Sequence, residues 1–379
     1  MDDPNLPRVI LVAHRFASHE QSGIPRYVAE LCRELGADPA CRGYALVTPP
    51  EAGDPSGCGL PVERLRGGRR AVQLGWHLAG RPPLERLVPP ADLVHALYPF
   101  APVPTRAPLV ATVHDLLPLQ FPEWFGRVNA AKFRRATDVM VRHATHVIAD
   151  SALVAGQVHD TLGVEPDRIT VVPLGVAPAF RSPPDADKRL ATCGDFGVTP
   201  GRYFVAVGYV SVRKNLLTLV RALHTAGPHL RLPLVLAGPA GRGAEAVQRE
   251  VDALGVGQRV IVTGWLRETE LAALVAGATA LLHPATHEGF GLPPLEAMAA
   301  GTPVVASRGG AVPEVVGPAG ILLDPDDVEE WAAAMVRLAG DADLATRLRT
   351  QGLVRSKPYT WARTAAETLA VHRQVLAER

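Results

Sequence analysis

The sequence has 379 residues, 47% of them hydrophobic and 20% charged, a composition typical of a globular protein long enough for two domains. Its 39 basic and 38 acidic side chains leave a formal net charge of +1, which argues against general binding of nucleic acid. Four cysteines without CxxC spacing are too few to hold so long a chain together by disulfides. We therefore expect a cytoplasmic protein with no nucleic acid among its partners.

The sequence predicts no segment that crosses a membrane. The first ten residues are acidic and contain proline, which is unlike the basic and apolar start of a secretory signal. The longest apolar run, residues 271–282, is shorter than the roughly 20 residues that span a bilayer. Membrane contact is therefore expected to be peripheral at most, at the inner face of the membrane.

Short apolar runs alternate with segments of helical periodicity along the first half, which is typical of βαβ units and a parallel sheet. Residues 23–35, for example, carry apolar side chains at three- and four-residue steps, as an amphipathic helix does. The predicted strands of this half are RVILVAH, YALVTP, DLVHALY, LVATVHD, THVIADS and RITVVPLG.

Residues 177–202 combine proline, glycine and charge without strand periodicity, which is typical of a linker between domains. The alternation then restarts, and the predicted strands of the second half are YFVAVG, LPLVLAG, RVIVTG, ATALLHP, TPVVAS and GILLDP. We therefore predict an α/β protein with two doubly wound domains, residues 1–176 and 203–358. A cleft between them is expected to bind the ligand, since such sheets bind ligands outside the carboxyl ends of their strands.

Two glutamates, Glu288 and Glu296, flank the segment GFGLPPL ahead of a predicted helix. Prolines suit the first turn of a helix, and the free N–H groups there favour an anion. The backbone N–H groups expected at this helix start belong to Phe290, Gly291 and Leu292. A phosphate at that position would repel carboxylates. We therefore interpret the glutamates as acceptors for hydroxyl groups of a sugar and a ribose attached to the phosphate.

An acidic residue, GFGLP and a glutamate eight positions after the first acid resemble the signature of retaining glycosyltransferases of family 4, which have the GT-B fold. The resemblance extends over nearly the whole chain. It implies that Glu288 holds hydroxyls of the transferred sugar and that Glu296 holds the nucleotide ribose. It also implies two Rossmann-like domains facing each other across a cleft, with a last helix, residues 359–379, that crosses back onto the first domain.

A second motif, VGYVSVRKNLL at residues 207–217, places Arg213 and Lys214 after a predicted strand and Asn215 as the expected cap of the next helix. Two adjacent cations suit a diphosphate, because hydrogen bonds to charged groups are the strong ones. Together with the helix end they nearly balance a diphosphate charge of about −2. The motif therefore predicts a diphosphate site that requires no metal.

The first half contributes a third motif, LVATVHDLLPL, which resembles the histidine of the family that faces the donor sugar. We interpret His114 as an orienting and transition-state group and Asp115 as the partner of its ring. SGIPRY at residues 22–27 resembles the glycine loop that approaches the diphosphate, with Gly23 as the contact. The nucleotide base is expected near Trp265 and Leu266, through backbone contacts.

Three patterns suggest other functions. GRGAEA at residues 241–246 resembles a dinucleotide fingerprint, but an ordinary turn between strand and helix explains it better. DPDD at residues 324–327 resembles a metal-binding DxD, but Asp326 or Asp327 as a helix cap explains it without a metal. A predicted helix over residues 125–147 has a basic face, which is either simply solvated or in contact with anionic lipid. The same alternatives apply to the basic cluster Arg64, Arg66, Arg69 and Arg70.

The resemblance and the motifs together predict a retaining hexosyltransferase, independent of metal and of cofactors. It would move a sugar from a nucleoside diphosphate sugar to a hydroxyl of a glycan, lipid or secondary metabolite. GDP-mannose is the expected donor, because GIPRY and VRKN resemble mannosyltransferases, and UDP-glucose or another UDP-sugar is the alternative. A non-catalytic nucleotide-sugar binder and an NAD-dependent oxidoreductase are alternatives of other classes. The residues expected to take part in catalysis are His114, Arg213, Lys214 and Glu288.

Overall fold

A computed structural model describes residues 6–13, 23–48, 58–99 and 101–378. The chain divides into two compact units, one of residues 1–175 with 360–379 and one of residues 176–359. It passes from one unit to the other after Gly175 and after Tyr359.

The first unit contains a parallel sheet. Its strands are β1 (Val9–Val12), β2 (Tyr44–Thr48), β3 (Val62–Arg64), β4 (Leu93–Ala96), β5 (Leu109–Val113), β6 (His146–Ala149) and β7 (Ile169–Val171). They lie in the order β3-β2-β1-β4-β5-β6-β7. The six predicted strands of this half are confirmed. Strand β3 was not predicted, because this edge strand has the sequence VER and is half-exposed, so it forms no apolar run.

Helices pack against this sheet and bury its apolar side chains. They are α1 (Gly23–Ala37), α2 (Arg69–Ala79), α3 (Leu117–Gln120), α4 (Pro122–Phe125), α5 (Arg127–His143) and α6 (Ala152–Leu162). Helix α5 buries Phe133, Ala136 and Met140, while Arg127 and Arg135 are exposed. The predicted amphipathic helix is therefore present, and it begins two residues later and ends four residues earlier than the predicted range.

The segment predicted as a linker contains helices of the second unit, α7 (Pro178–Arg181) and α8 (Ala186–Asp195). Phe180 and Cys193, one in each helix, are fully buried. The sequence suggested a linker because the prolines break the apolar periodicity, but Pro178 occupies the first turn of α7, where proline is tolerated. These residues are therefore folded into the second unit, and the predicted domain boundaries stay a prediction.

The second unit contains another parallel sheet, and all six of its strands were predicted. They are β8 (Phe204–Val207), β9 (Leu234–Ala237), β10 (Val260–Gly264), β11 (Ala280–His283), β12 (Val304–Ser307) and β13 (Ile321–Leu323). Their order is β10-β9-β8-β11-β12-β13. The remaining helices of this unit are α9 (Leu216–Thr225), α10 (Ala244–Ala253), α11 (Glu268–Gly277), α12 (Leu292–Ala299), α13 (Val312–Val316), α14 (Val328–Gly340) and α15 (Ala342–Ser356). The fold is thus two Rossmann-like α/β units.

The last helix, α16 (Trp361–Ala377), belongs to the first unit and packs against α1. Thr360 caps it by accepting a hydrogen bond from the N–H of Arg363. The Trp361 ring lies 6.3 Å from that of Tyr27 on α1. In the part of the chain that the structure describes, no helix is both long enough and apolar enough to cross a bilayer.

Candidate active site

The strand order of the second unit marks one place for a ligand. From β8 the sheet grows in one direction through β9 and β10 and in the other through β11, β12 and β13. Strands β8 and β11 are neighbours, with Phe204 paired to Ala280 and Val205 to Leu281. The loops that follow these two strands therefore lie side by side at the switch point of a doubly wound sheet, where such folds bind ligands.

Backbone and side-chain hydrogen bonds tie these two loops together. The N–H of Thr286 donates to the carbonyl oxygen of Arg213 at 3.0 Å, and the Thr286 hydroxyl donates to the same oxygen at 3.3 Å. The Arg213 guanidinium donates in return to the carbonyl oxygen of His287 at 3.3 Å. Residues 73 and 74 positions apart in the sequence are thereby held together.

Arg213, Lys214 and Glu288 meet at this junction. Lys214 Nζ lies 2.6 Å from Glu288 Oε1, and Arg213 Nη1 lies 2.5 Å from Glu288 Oε2. Each carboxylate oxygen thus binds one cation. The sequence predicted that the two cations would face a diphosphate and that Glu288 would bind only hydroxyls. The structure adds a direct ion pair, so two cations and one carboxylate leave one positive charge.

Burial and charge act in opposite directions on this cluster. Burial alone raises the pKa of Glu288, but Arg213 and Lys214 outweigh it and hold that pKa well below its usual range. Burial lowers the pKa of Lys214 and Arg213 lowers it further, although the Glu288 carboxylate raises it. Lys214 is only 8% exposed, so its charge depends on Glu288 as a close counterion.

His283, which sequence analysis missed, lies beneath the cluster at the end of β11. Its Nε2 is 3.5 Å from Glu288 Oε1, and the residue is 1% exposed. Burial and the charge of Lys214 lower the pKa of His283 to about 4, so its ring is neutral near pH 7. The only signal in the sequence was a histidine closing an apolar strand.

The helix that follows Glu288 starts as predicted. Helix α12 has Pro293 and Pro294 in its first turn and Gly291 at its N-cap, with φ +111°. The backbone N–H groups of this turn have no acceptor within the helix. Glu296 is 3% exposed on the same helix. The helix start and both glutamates are therefore close together along one short segment.

The side chain of Phe290 points into the second unit rather than toward solvent. It is 6% exposed, and its ring lies 6.0 Å from that of Tyr359 in an edge-to-face contact. Leu292 is half-buried. Because the side chains of Phe290 and Leu292 are buried or half-buried, their predicted contact with an anion would be made by their backbone N–H groups.

A pair of glycines that sequence analysis did not identify supports the Glu288 loop. A Cβ atom on Gly310, which has φ +63°, would lie 2.2 Å from the carbonyl oxygen of Glu288. A Cβ atom on Gly309 would lie 2.5 Å from the carbonyl oxygen of Thr286. The N–H of Ala311 donates to the Glu288 carbonyl at 2.9 Å. The signal in the sequence was the GG pair directly after the strand TPVVAS.

Gly208 makes room for the side chain of Lys214. Its φ is +126°, and a Cβ atom there would lie 2.9 Å from Lys214 Cε. The carbonyl oxygen of Gly208 would in turn be 2.2 Å from a Cβ atom on Gly238. The lysine stem therefore lies against backbone that admits no side chain.

The expected role of Asn215 as a helix cap is wrong. Asn215 has a left-handed backbone with φ +50°, and its side chain makes no capping hydrogen bond to α9. Its Nδ2 instead donates to the carbonyl oxygen of Pro325 at 2.8 Å and to Asp326 Oδ1 at 3.1 Å. The Arg213–Lys214 loop is thereby attached to the DPDD turn. Within that turn Asp327 caps α14, as one of the two sequence interpretations proposed.

Trp265 and Leu266, the residues expected near the base, follow β10, two strands away from β8. Trp265 is 51% exposed, whereas Leu266 is buried. The loop after β8 carries its own exposed ring, Tyr209, at 46%. The strand order therefore does not bring Trp265 directly beside Glu288.

In the first unit, His114 lies where three neighbouring strands end. Its Nδ1 is 2.7 Å from Asp150 Oδ2, which follows β6, and its Nε2 is 3.0 Å from the carbonyl oxygen of Leu97, which follows β4. A carbonyl and a carboxylate only accept, so both ring nitrogens donate when the ring is protonated, and this arrangement favours the cationic form. Burial alone lowers the pKa of His114, but Asp150 and the Leu97 carbonyl raise it above its usual value.

The predicted partner of His114, Asp115, is wrong. Successive side chains of an extended chain point to opposite faces, so Asp115 turns away and accepts a hydrogen bond from the N–H of Leu117 at 3.2 Å. Asp150 takes its place. The ring of Tyr27 lies 4.6 Å from that of His114. Tyr27 is one turn into the helix that begins at the exposed Gly23, and Ser22 lies outside the described residues.

Comparisons with known proteins agree with both units. Residues 201–341 match the sequence model of Glycosyl transferases group 1, and residues 21–180 match that of Glycosyltransferase Family 4. The chain is 31% identical to the MMP alpha-(1->4)-mannosyltransferase of Mycolicibacterium hassiacum, over 71% of this chain and 66% of that protein. It is 31% identical to the alpha-maltose-1-phosphate synthase of Mycolicibacterium smegmatis, over 71% of this chain and 74% of that protein.

Solved structures share the fold. Anabaena HepE, crystallised in complex with UDP and glucose, has a TM-score of 0.73 at 22% identity, over 96% of this chain and 99% of that chain. The chain spans between 31% and 66% of the length of the first curated relatives that it matches. On the sequence matches and the two Rossmann-like units, the chain belongs to glycosyltransferase family 4, also called group 1.

Proposed function

We propose that this protein transfers a sugar from a nucleoside diphosphate sugar to an acceptor hydroxyl. The observation that carries the proposal is the convergence of Arg213, Lys214 and Glu288 at the switch point of the second sheet, one loop ahead of the start of α12. Cations and free backbone N–H groups suit phosphate oxygens, and carboxylates suit hydroxyls. A donor molecule presents both kinds of group in a row.

We infer that the diphosphate replaces Glu288 as the partner of the two cations. In the structure each oxygen of Glu288 binds one cation, so the carboxylate occupies the positions that phosphate oxygens would take. Once displaced, Glu288 is free to accept hydrogen bonds from sugar hydroxyls, while Glu296 accepts from the ribose. The N–H groups of Gly291 and Leu292 then contribute to binding of the leaving diphosphate.

The donor is GDP-mannose in this proposal, with UDP-glucose or another UDP-sugar as the alternative. A relative named as a mannosyltransferase supports mannose, and HepE, crystallised with UDP and glucose, supports the alternative. We further propose retention of configuration, with a phosphate oxygen of the donor taking the acceptor proton. Arg213, Lys214 and the helix start would stabilise the diphosphate without a metal.

The remaining assignments rest on fewer contacts. His114 is proposed to orient the transferred sugar, because its cationic ring is fixed at the strand ends of the first unit. Gly23 at the start of α1 is proposed to approach the diphosphate. Trp265 and Leu266 are proposed to lie near the base. A cytoplasmic location is proposed on the cysteine content alone.

Calorimetric titration with GDP, UDP and ADP tests the proposal. We expect one of the three to bind, and Lys214→Ala to weaken that binding about 10- to 100-fold, since a hydrogen bond to a charged group contributes about 1.5–3 kcal/mol. Lys188→Ala is the matched control, because Lys188 is an exposed lysine of the same unit. Equal affinity in both variants would remove the diphosphate assignment.

A donor hydrolysis and transfer assay then separates the classes. We expect slow release of free sugar from the nucleoside diphosphate sugar whose nucleotide binds. Binding without hydrolysis or transfer would favour a nucleotide-sugar binder. Binding of NAD(H), with none of the nucleoside diphosphates, would favour the oxidoreductase.

A further inference from the structure

Helices α2 and α5 of the first unit expose large apolar side chains together. Leu78 is 72% exposed, Val128 68% and Leu74 59%. Leu78 and Val128 are the two most exposed large apolar side chains among the residues that the structure describes. We refer to Leu74, Leu78, Val128 and the basic side chains around them as the α2–α5 surface.

Leu74 and Leu78 do not belong to the face of α2 that packs against the core. The helix already buries another face, with Val72 at 6% and Trp76 at 1% exposure. The Trp76 indole N–H donates to the carbonyl oxygen of Pro82 at 2.7 Å, which fixes the orientation of the helix. Leu74 and Leu78 are one turn apart and therefore share the outward face.

The two helices form one continuous surface. Arg135 of α5 donates from Nε to the carbonyl oxygen of His77 at 2.8 Å, so the C-terminal end of α2 lies against α5. On α5, Val128 and Arg135 are seven residues apart and lie on one face. The exposed apolar side chains of both helices therefore border the same contact.

The two sequence segments that form this surface carry basic side chains, and the nearest acids in the sequence, Glu63, Glu85, Glu123 and Asp138, lie just outside them. Residues 64–84 and 124–137 contain no aspartate or glutamate. The exposed basic side chains of these two segments include Arg66, Arg70, Arg127, Lys132, Arg134 and Arg135. The chain as a whole has a net charge of only +1, so the positive charge is concentrated locally.

We propose that the α2–α5 surface binds an anionic lipid bilayer. Leu74, Leu78 and Val128 would enter the boundary between headgroups and acyl chains, while the arginines and Lys132 would contact the anionic headgroups. A second copy of the chain would bring these positive charges face to face and is disfavoured. A nucleic acid would meet the charges but would leave the two leucines without a use.

Vesicle sedimentation tests the proposal, with pure phosphatidylcholine compared with phosphatidylcholine containing phosphatidylglycerol. We expect the protein to sediment with the anionic vesicles and to remain in solution with the neutral ones. The double variant Leu74→Ser, Leu78→Ser is expected to lose about tenfold or more in vesicle affinity, since insertion of apolar groups contributes to interfacial binding. Arg70→Gln and Arg134→Gln are expected to lose about fivefold each.

Matched controls come from the second unit. Leu190 and Val354 are 57% and 60% exposed, so Leu190→Ser, Val354→Ser removes similar apolar area elsewhere. Arg231→Gln and Arg347→Gln remove exposed charges elsewhere. Both control sets are expected to bind anionic vesicles as the unchanged protein does. Thermal unfolding of every variant should match, because the altered side chains are exposed.

Several results would overturn the proposal. These are equal sedimentation with neutral and anionic vesicles, no sedimentation with either, or equal losses in the controls. A dimer in sedimentation velocity that the leucine variant dissociates would assign the surface to a second copy. Binding of an oligonucleotide that only the arginine variants lose, without vesicle binding, would assign it to nucleic acid. Because vesicle binding requires no sugar transfer, the outcome is independent of the proposed function.

Discussion

The carboxyl ends of the two sheets present different kinds of site. In the second unit, Arg213, Lys214 and Glu288 come from two adjacent loops and hold one another by ion pairs of 2.5 and 2.6 Å. In the first unit, His114 and Asp150 form a single pair of opposite charge, enclosed by other strand ends and aromatic rings. The cluster in the second unit has a net positive charge that can bind an anionic ligand, whereas the charges of His114 and Asp150 in the first unit neutralise each other.

The surroundings of the pair in the first unit are a buried chain of uncharged hydrogen-bonding groups. Tyr27 and His95 both contact the Thr112 hydroxyl, at 3.1 and 2.8 Å. His95 continues to His372 on α16 at 3.0 Å, and His372 to Tyr44 at 3.1 Å. Burial lowers the pKa of His372 to about 3 and that of His95 well below its usual range, so both rings are neutral near pH 7. The first unit therefore positions side chains, whereas the second concentrates charge.

The largest expected loss tests whether the charged site depends on its backbone support. Gly310→Ala would force a Cβ atom to within 2.2 Å of the Glu288 carbonyl oxygen. We expect a loss of about 2–4 kcal/mol in the free energy of unfolding, because strain and overpacking combine. Urea unfolding measures it. Gly194→Ala is the control, since no atom lies within 4 Å of its Cβ position, and we expect a change within about 1 kcal/mol. Equal effects would contradict the support role.

Removing the carboxylate tests the ion pairs. Glu288→Gln leaves Arg213 and Lys214 without a counterion, and we expect a loss of about 2 kcal/mol, less than for a fully buried pair because Arg213 is partly exposed. The pKa of Glu288 is depressed on folding, so the contribution is present above its unfolded value of about 4.5 and is lost as pH falls through the folded pKa.

Urea unfolding of the unchanged protein and of Glu288→Gln at neutral and acidic pH checks this. Glu250→Gln is the control, because Glu250 pairs with the half-exposed Arg221, and we expect a loss below about 1 kcal/mol. A difference between wild type and Glu288→Gln that grows in acid would contradict the ion-pair account.

The pair in the first unit is expected to show the opposite pH dependence. The pKa of His114 is raised on folding, so its contribution is present below about pH 6.5 and is lost as pH rises through the folded pKa. Asp150→Asn removes the main partner, and we expect a loss of about 1 kcal/mol at low pH that narrows at high pH. The rings of Tyr27 and Tyr98 lie against that of His114, and Asp115 and His95 are close enough to interact with it electrostatically. All four residues remain unchanged in this variant.

Unfolding measurements at about pH 6 and about pH 9 check this second pair. A stability difference between the unchanged protein and Asp150→Asn that does not depend on pH would show that Asp150 acts through packing alone.

The last expected effect concerns the attachment of the Arg213–Lys214 loop to the DPDD turn. Asn215→Gly keeps the left-handed backbone and removes two hydrogen bonds, so we expect a loss of about 1 kcal/mol. Asn215→Ala also introduces strain at φ +50°, for a further loss of about 1 kcal/mol. Urea unfolding compares the two, and alanine as stable as glycine would contradict the backbone argument.

The sequence predicted the fold well because parallel strands that are buried on both faces consist of continuous runs of apolar residues. It missed β3, whose half-exposed residues form no such run. It placed Arg213, Lys214 and Glu288 at strand ends, because glycines and prolines mark those turns. Their direct pairing followed only from the adjacency of β8 and β11, which periodicity does not reveal.

The partners of His114 and Asn215 could not be predicted either, because they are distant in the sequence. Asp150 is 36 residues from His114 and meets it only because β5 and β6 are neighbours, so the adjacent Asp115 was chosen instead. Asn215 had the residue type of a helix cap, but its left-handed backbone turns the side chain toward Pro325. Local patterns identified the charged groups, and long-range packing decided their partners.

The central claim is that Glu288 forms ion pairs with Arg213 and Lys214, the two cations that would otherwise bind the diphosphate of the donor. Its most direct test is calorimetric titration of GDP and UDP into the unchanged protein, Glu288→Gln and the control Glu250→Gln. For the nucleotide that binds, we predict that Glu288→Gln increases the affinity about tenfold, because a competing negative charge beside Arg213 and Lys214 is removed, while Glu250→Gln changes nothing. An affinity that is unchanged or lower in Glu288→Gln would contradict the account.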